Sequence, residues 1–158
     1  IAVVKVTDDG KWFVKEIDHG RWDIRETAAK ILMKMRDYRP ISVGIERGAL
    51  KNAVLPYLSD LMRKNNVYSH IVDLTHGNRK KTDRIIWSLQ GRFEHGRIVL
   101  NSEEDWDDFT DQLLMFPANG VHDDLPDALS YIDQLAVTSY FEGEEDDEWE
   151  PVDIISGV

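Results

Sequence analysis

The chain has 158 residues, 42% hydrophobic and 31% charged, so one domain with its own apolar core is expected. It has no cysteine, which excludes disulfides and thiolate-held metals and leaves oxygen and imidazole as metal donors. The net charge of −11 weighs against a nucleic-acid partner only on average, because eight acids follow Phe141 with no Lys or Arg among them; without those eight the charge is −3.

Ile1 to Thr7 alternates, Asp8-Asp9-Gly10 supplies a tight turn, and Lys11 to Ile17 is rich in β-formers, which together predict a hairpin. Asp8 and Asp9 read as turn residues rather than ligands. Asp23 is predicted to cap a helix, with Glu26 three residues on and Ile24, Ala28, Ile31, Leu32 and Met35 on its apolar face. Arg39-Pro40 ends it. Ile41 to Glu46 is a short strand closing on a carboxylate, and such a residue is either ion-paired, here with Arg47, or placed at a sheet edge where ligands bind. A second helix is expected from about Ala49 to Lys64, with Leu50, Val54, Leu58, Leu61 and Met62 inward and Pro56 kinking or delaying it. Val67 to Leu74 reads as a further strand. Strands and helices in alternation after a hairpin predict a mixed α/β sheet flanked by helices.

The segment His76 to Arg84 is the most basic part of the chain; from His76 to Arg97 six Lys or Arg face two acids. Arg79, Lys80, Lys81 and Arg84 suit contacts to a phosphate backbone, or equally a solvated helix start. Cations at a helix N-terminus oppose its macrodipole, a placement that a nearby phosphate would explain. The helix they open carries Ile85, Ile86 and Leu89, and Arg97 to Leu100 forms a short strand. Ser102 is predicted to cap an acidic helix, Glu103 to Met115, whose Trp106, Phe109, Leu113 and Leu114 read as core rather than as a base-stacking platform.

A loop from Phe116 to Gly120 leads to Val121-His122-Asp123-Asp124-Leu125-Pro126-Asp127-Ala128-Leu129, where three carboxylates and an imidazole fall within six residues. Asp124 is placed as N-cap, Pro126 in the first turn and Asp127 at the capping-box position. Capping uses one or two carboxylates, and the remainder suits a divalent metal held by hard oxygen ligands. The last helix is expected to run to about Ser139 with Ala128, Leu129, Ile132, Leu135 and Ala136 inward. Residues 141–158 read as a solvated, disordered acidic tail, which bounds the folded domain at 1–140. Glu46 and Asp124 are remote in sequence, but carboxylates converging from different elements are what two-metal phosphoryl chemistry needs, since two cations about 3.5–4 Å apart must share them.

Four stretches together, Gly44-Ile45-Glu46, Arg79 to Ile85, Gly91 to Ile98 and His122 to Leu129, resemble the C-terminal nuclease domain of the large terminase subunit of tailed bacteriophages, from Ile1 to about Ala136. The resemblance implies an RNase H-like fold, similar to RuvC resolvases, and cleavage of concatemeric viral DNA during genome packaging with two Mg²⁺ or Mn²⁺ ions. It implies Glu46 and Asp124 as metal ligands, Asp123 as a further one, His122 near the site, and Lys80, Lys81 and Arg84 on the DNA backbone. Its partners would be double-stranded DNA, an N-terminal ATPase domain of the same polypeptide, the small terminase subunit and the portal, in the cytoplasm of an infected bacterium. The family's first catalytic aspartate lies on a strand before the hairpin that here begins at Ile1. No Gly-x-x-x-x-Gly-Lys phosphate loop is present. Alternatives are a RuvC-like junction resolvase or transposase-type nuclease, which would select junctions or dimerise, and a catalytically incomplete module that docks DNA or a portal. No segment has the length or apolarity of a membrane span, and the start does not resemble a signal peptide.

Overall fold

The alternating N-terminus forms the expected hairpin: β1 (Ala2–Val6) pairs antiparallel with β2 (Trp12–Ile17), with a register shift between Val3 and Val4. Gly10 adopts φ 79° in the turn between them, a left-handed conformation that glycine reaches without Cβ strain. The computed structural model describes residues 1–77, 80–118, 120 and 122–136. Arg79, the continuation of the last helix to Ser139 and the 141–158 tail lie outside them.

Helix α1 (Ile24–Tyr38) starts at Asp23, whose carboxylate accepts from the backbone N–H groups of Arg25 and Glu26 while Glu26 accepts from the Asp23 N–H. This is the predicted capping box. Strand β3 (Ser42–Glu46) follows, then α2 (Ala49–Asn65) and β4 (His70–Leu74), which pairs parallel with β3. Helix α2 runs without a break through Pro56, so the expected delay does not occur. Ala28, Ile31, Met35, Ile45, Val54 and Leu58 form one apolar core between α1, α2 and β3. Ile24 and Leu50, expected inward, lie exposed in the first turns of their helices, whereas Met35 in the last turn of α1 is buried.

Helix α3 (Lys81–Glu94), strand β5 (Ile98–Leu100) and helices α4 (Asp107–Met115) and α5 (Asp124–Ser130) complete the described elements, with a further helical stretch over 132–136. Strand β5 adds parallel to β2, giving the order β1-β2-β5 beside the separate β3-β4 pair. Trp12, Val14, Ile85, Leu89, Ile98, Phe109, Leu125, Leu129 and Ile132 make the second core, where α3, α4 and α5 cover the three-stranded sheet. The architecture is mixed α/β, as the alternation of elements predicts.

Two boundaries differ from expectation. Ser102 does not cap α4. Residues before the helix are wound around Asn101, whose side-chain oxygen accepts from the Glu103 N–H and whose carbonyl accepts from the Trp106 indole, so α4 begins only at Asp107. Leu114, expected in the core, is 77% exposed. The second difference concerns α5. Its N-cap is Asp123, not Asp124, and neither carboxylate makes a side-chain cap. Instead Gln112 of α4 accepts from the Leu125 N–H at 3.0 Å. Among the described residues no helix is long and apolar enough to cross a membrane.

Candidate functional site

The C-terminal ends of the parallel strands β3 and β4 meet the starts of α3 and α5. In an open α/β sheet this is where side chains are free to converge, because the strands stop and the connecting loops diverge. Glu46, the last residue of β3, emerges there. Its Oε1 lies 2.5 Å from His76 Nε2, two residues past the end of β4. The pairing with Arg47 considered from sequence does not form: Arg47 turns to Asp73, 3.5 Å away, which Lys51 also contacts. The Lys51 hydrogen bond, joined by Arg47, holds the Asp73 carboxyl below its ordinary 3.8.

From His76 the contacts continue inward. Its Nδ1 is 2.7 Å from Arg84 Nη1 and 3.0 Å from the Tyr131 hydroxyl. Arg84 also donates to Asp127, and its guanidinium sits 4.2 Å from the centre of the Tyr131 ring. Arg84 is only 9% exposed at the side chain and Asp127 14%, so the pair is largely withdrawn from water. The Arg84 Nε is buried without a hydrogen-bond partner among the described residues. Gln134 braces the segment before His76: its amide accepts from the Thr75 N–H at 3.1 Å and donates to the Thr75 carbonyl at 2.8 Å.

Lys81, at the first position of α3, closes the chain of contacts. Its ammonium lies 2.7 Å from Asp123, 3.3 Å from Asp127 and 3.9 Å from Asp124. Burial works against that charge, yet the bonds to Asp123 and Asp127 outweigh it and hold the lysine above its ordinary 10.5. Burial raises the Tyr131 phenol, Arg84 opposes that, and Glu46 and Asp127 add to it.

The residues singled out from sequence therefore divide. Glu46 and Asp127 are joined through His76 and Arg84, and Asp123 is joined to Asp127 through Lys81. Asp124 and His122 lie on the rim, 77% and 89% exposed at the side chain, with their nearest polar atoms 3.9 Å apart. Lys80 is exposed just before α3. Arg84 is turned into the protein, which corrects its reading as a residue lying along a duplex. Of the cations at the start of α3 that oppose its dipole, Lys81 is met by the Asp123 and Asp127 carboxylates and Arg84 by Asp127. The capping-box reading of Asp127 is likewise corrected, because its carboxylate goes to Arg84 and Lys81. Sequence reasoning missed the roles of His76, Tyr131, Gln112 and Gln134. His76 was visible only as part of a basic run, and nothing local marks the others.

An oxygen-and-imidazole donor set suits a hard divalent ion. The arrangement does not: the described residues contain no group of three or more His, Asp or Glu that could hold a metal ion. Glu46 is occupied by His76, while Asp123 and Asp127 are occupied by Lys81 and Arg84. The described carboxylates by themselves do not make a two-ion centre.

No family model matches the chain, and neither the curated proteins nor the solved structures contain a match.

Proposed function

We propose that the chain is a metal-dependent DNA endonuclease of RNase H-like fold, of the kind found in the large terminase subunit, and that Glu46 and Asp124 with Asp123 are its share of the metal-binding carboxylates. The observation that supports this most is the polar relay from Glu46 through His76 and Arg84 to Asp127. It ties the end of a parallel strand to the helix whose start carries Asp123 and Asp124, the two sequence segments on which the resemblance rests. In this reading Asp127, Arg84 and Lys81 are framework, and the exposed Asp124 and the half-exposed Glu46 face the ligand. Lys80, exposed before α3, is the residue left to meet a phosphate backbone. The described donors by themselves are too few to hold two divalent ions.

A second reading, a DNA- or portal-docking module without catalysis, is favoured by the absence of a three-donor group among the described residues. Nicking of supercoiled plasmid in Mn²⁺ by the chain, beside Glu46→Ala and Asp124→Ala, separates the two. Cleavage by the parent and by neither variant is expected. Cleavage by Glu46→Ala at the parent's rate would overturn the site, and a folded parent that leaves plasmid intact would favour docking.

A further inference from the structure

The strand register divides the residues of the three-stranded sheet between two faces. Val4 and Val6 on β1, Trp12 and Val14 on β2, and Ile98 and Leu100 on β5 belong to the second core or pack against it, under the helices. Successive strand residues alternate in side, so the cross-strand row Lys5–Phe13–Val99 points the other way. Neither apolar core includes any of the three, and Val99 is 40% exposed. Lys15, two residues past Phe13, stands where β2 bulges: Val14 pairs with Val4 and Glu16 with Val3, which leaves Lys15 exposed with no residue opposite it.

This face is positive on a chain whose net charge is −11. Lys5 and Lys15 are exposed and have no ion-pair partner among the described residues. Lys11 and Arg97, also exposed, extend the same side toward the hairpin turn. The acids beside them are already engaged, Asp9 with Lys11 at 3.7 Å and Glu16 with Lys34 of α1 at 2.6 Å. An apolar pair, Phe13 and Val99, beside unpaired ammonium groups fits a polypeptide that carries acids and apolar side chains together. The segment after Ala136 has that composition: eight acids and no Lys or Arg from Glu142 to Asp153, with Trp149 and Val152 among them and Ile154 and Ile155 next. The 22 residues from 137 to 158 span up to about 70 Å when extended, against about 30 Å across a small domain, so the face is within their reach. Tethering keeps such a segment near millimolar effective concentration. Its charges are part of the chain, whereas a free polyanion must approach against the negative charge of the whole protein.

We propose that the acidic segment 142–153 docks in cis on the outer face of the β1-β2-β5 sheet, its carboxylates meeting Lys5 and Lys15 and its apolar side chains lying over Phe13 and Val99. The proposal is independent of the nuclease reading. Exposed ion pairs are individually weak and screened by salt, so the apolar contact adds affinity while the lysines select the segment by charge. The first arm of the test is zero-length carbodiimide cross-linking of the full chain at about 0.1 M salt, followed by proteolysis and mass spectrometry of the monomer. Amide links from Lys5 or Lys15 to acids of 142–153 are expected, and their loss at about 1 M salt, where charges act over only about 3 Å. Lys64 and Lys80, exposed on other parts of the chain, are the controls. Links to either control as frequent as those to Lys5 and Lys15 would overturn the proposal, because the segment would then prefer no face. Links found only in a dimer fraction would overturn docking in cis.

The second arm reads the same contact without the two lysines. The double variant Lys5→Glu/Lys15→Glu alters only exposed side chains, and a circular-dichroism spectrum like the parent's shows that the sheet is kept. Cleavage within 142–150 by a glutamate-specific protease is expected to run about 2- to 30-fold faster than in the parent, the factor that two exposed ion pairs are worth. Such cleavage follows the population of the undocked segment, and an unchanged rate would overturn the proposal. Absence of the Lys5 and Lys15 links from the parent, with single-stranded oligothymidylate protecting both lysines from acetylation, would overturn it in favour of a nucleic-acid face.

Discussion

Replacing Arg84 with Met is the most direct probe of how the candidate site is built, because the substitution keeps a long unbranched side chain and removes only the guanidinium. Arg84 makes charge-assisted bonds to Asp127 and to His76, and each such bond is worth about 1.5–3 kcal/mol. It also lies over the Tyr131 ring, which adds about 0.5–2 kcal/mol. Two effects reduce the loss. Lys81 remains 3.3 Å from Asp127, so the carboxylate is not left alone, and the orphaned Arg84 Nε no longer has to be buried. The balance is a loss of about 3 kcal/mol, at the low end of the ~3–5 kcal/mol found when one partner of a buried pair is removed. Urea unfolding at neutral pH measures it directly as a lower midpoint at an unchanged slope. Adding Asp127→Asn to Arg84→Met should recover part of the loss, because the stranded charge goes with it. A loss under about 1 kcal/mol for Arg84→Met, with no recovery in the double variant, would refute the account of Arg84 and Asp127 as a coupled buried pair.

Three further outcomes are expected. Gly44→Ala should destabilise by about 1–3 kcal/mol in the same assay, since its Cβ would come within 2.7–2.8 Å of the side chain of the buried Leu74; an unchanged midpoint would mean that Leu74 can step aside. Asp23→Ala should cost about 1 kcal/mol and lower helicity by circular dichroism, through loss of the cap at the start of α1. Lys81, raised above 10.5 by its partners, contributes stability that is fully present below that pH and is lost as pH rises through its folded value. Thermal unfolding of the parent should therefore weaken above pH 10.5 more steeply than that of Lys81→Met, and parallel curves would dismiss the Lys81 contacts as energetically idle.

How much was legible from sequence depends on the reach of each interaction. The Asp-Gly hairpin and the Asp23–Glu26 capping box involve groups two to four residues apart, so their partners are readable in order. The apolar stripes of α1 and α2 were readable along most of their length, Ala28, Ile31, Met35, Val54 and Leu58, and misread in the first turns, at Ile24 and Leu50. Periodicity says that a face is apolar and says nothing of how far a neighbour extends over it. Ser102 failed as a cap for a nearer reason: Asn101 beside it offers the same side-chain chemistry one residue earlier and winds the chain into turns first.

In the candidate site, sequence supplied the charged groups and tertiary structure chose their partners. Glu46 at a strand end and the acids around α5 were visible by type and position. Whether Glu46 would meet Arg47 or another residue, and whether Asp127 would cap its own helix, was not. The structure sends Glu46 to His76, Asp127 to Arg84 forty-three residues away, and the start of α5 to Gln112 of another helix. An ion pair or hydrogen bond is decided within about 3 Å of its donor, and the sequence orders residues along the chain without stating which of them the packed sheet and helices bring within that distance.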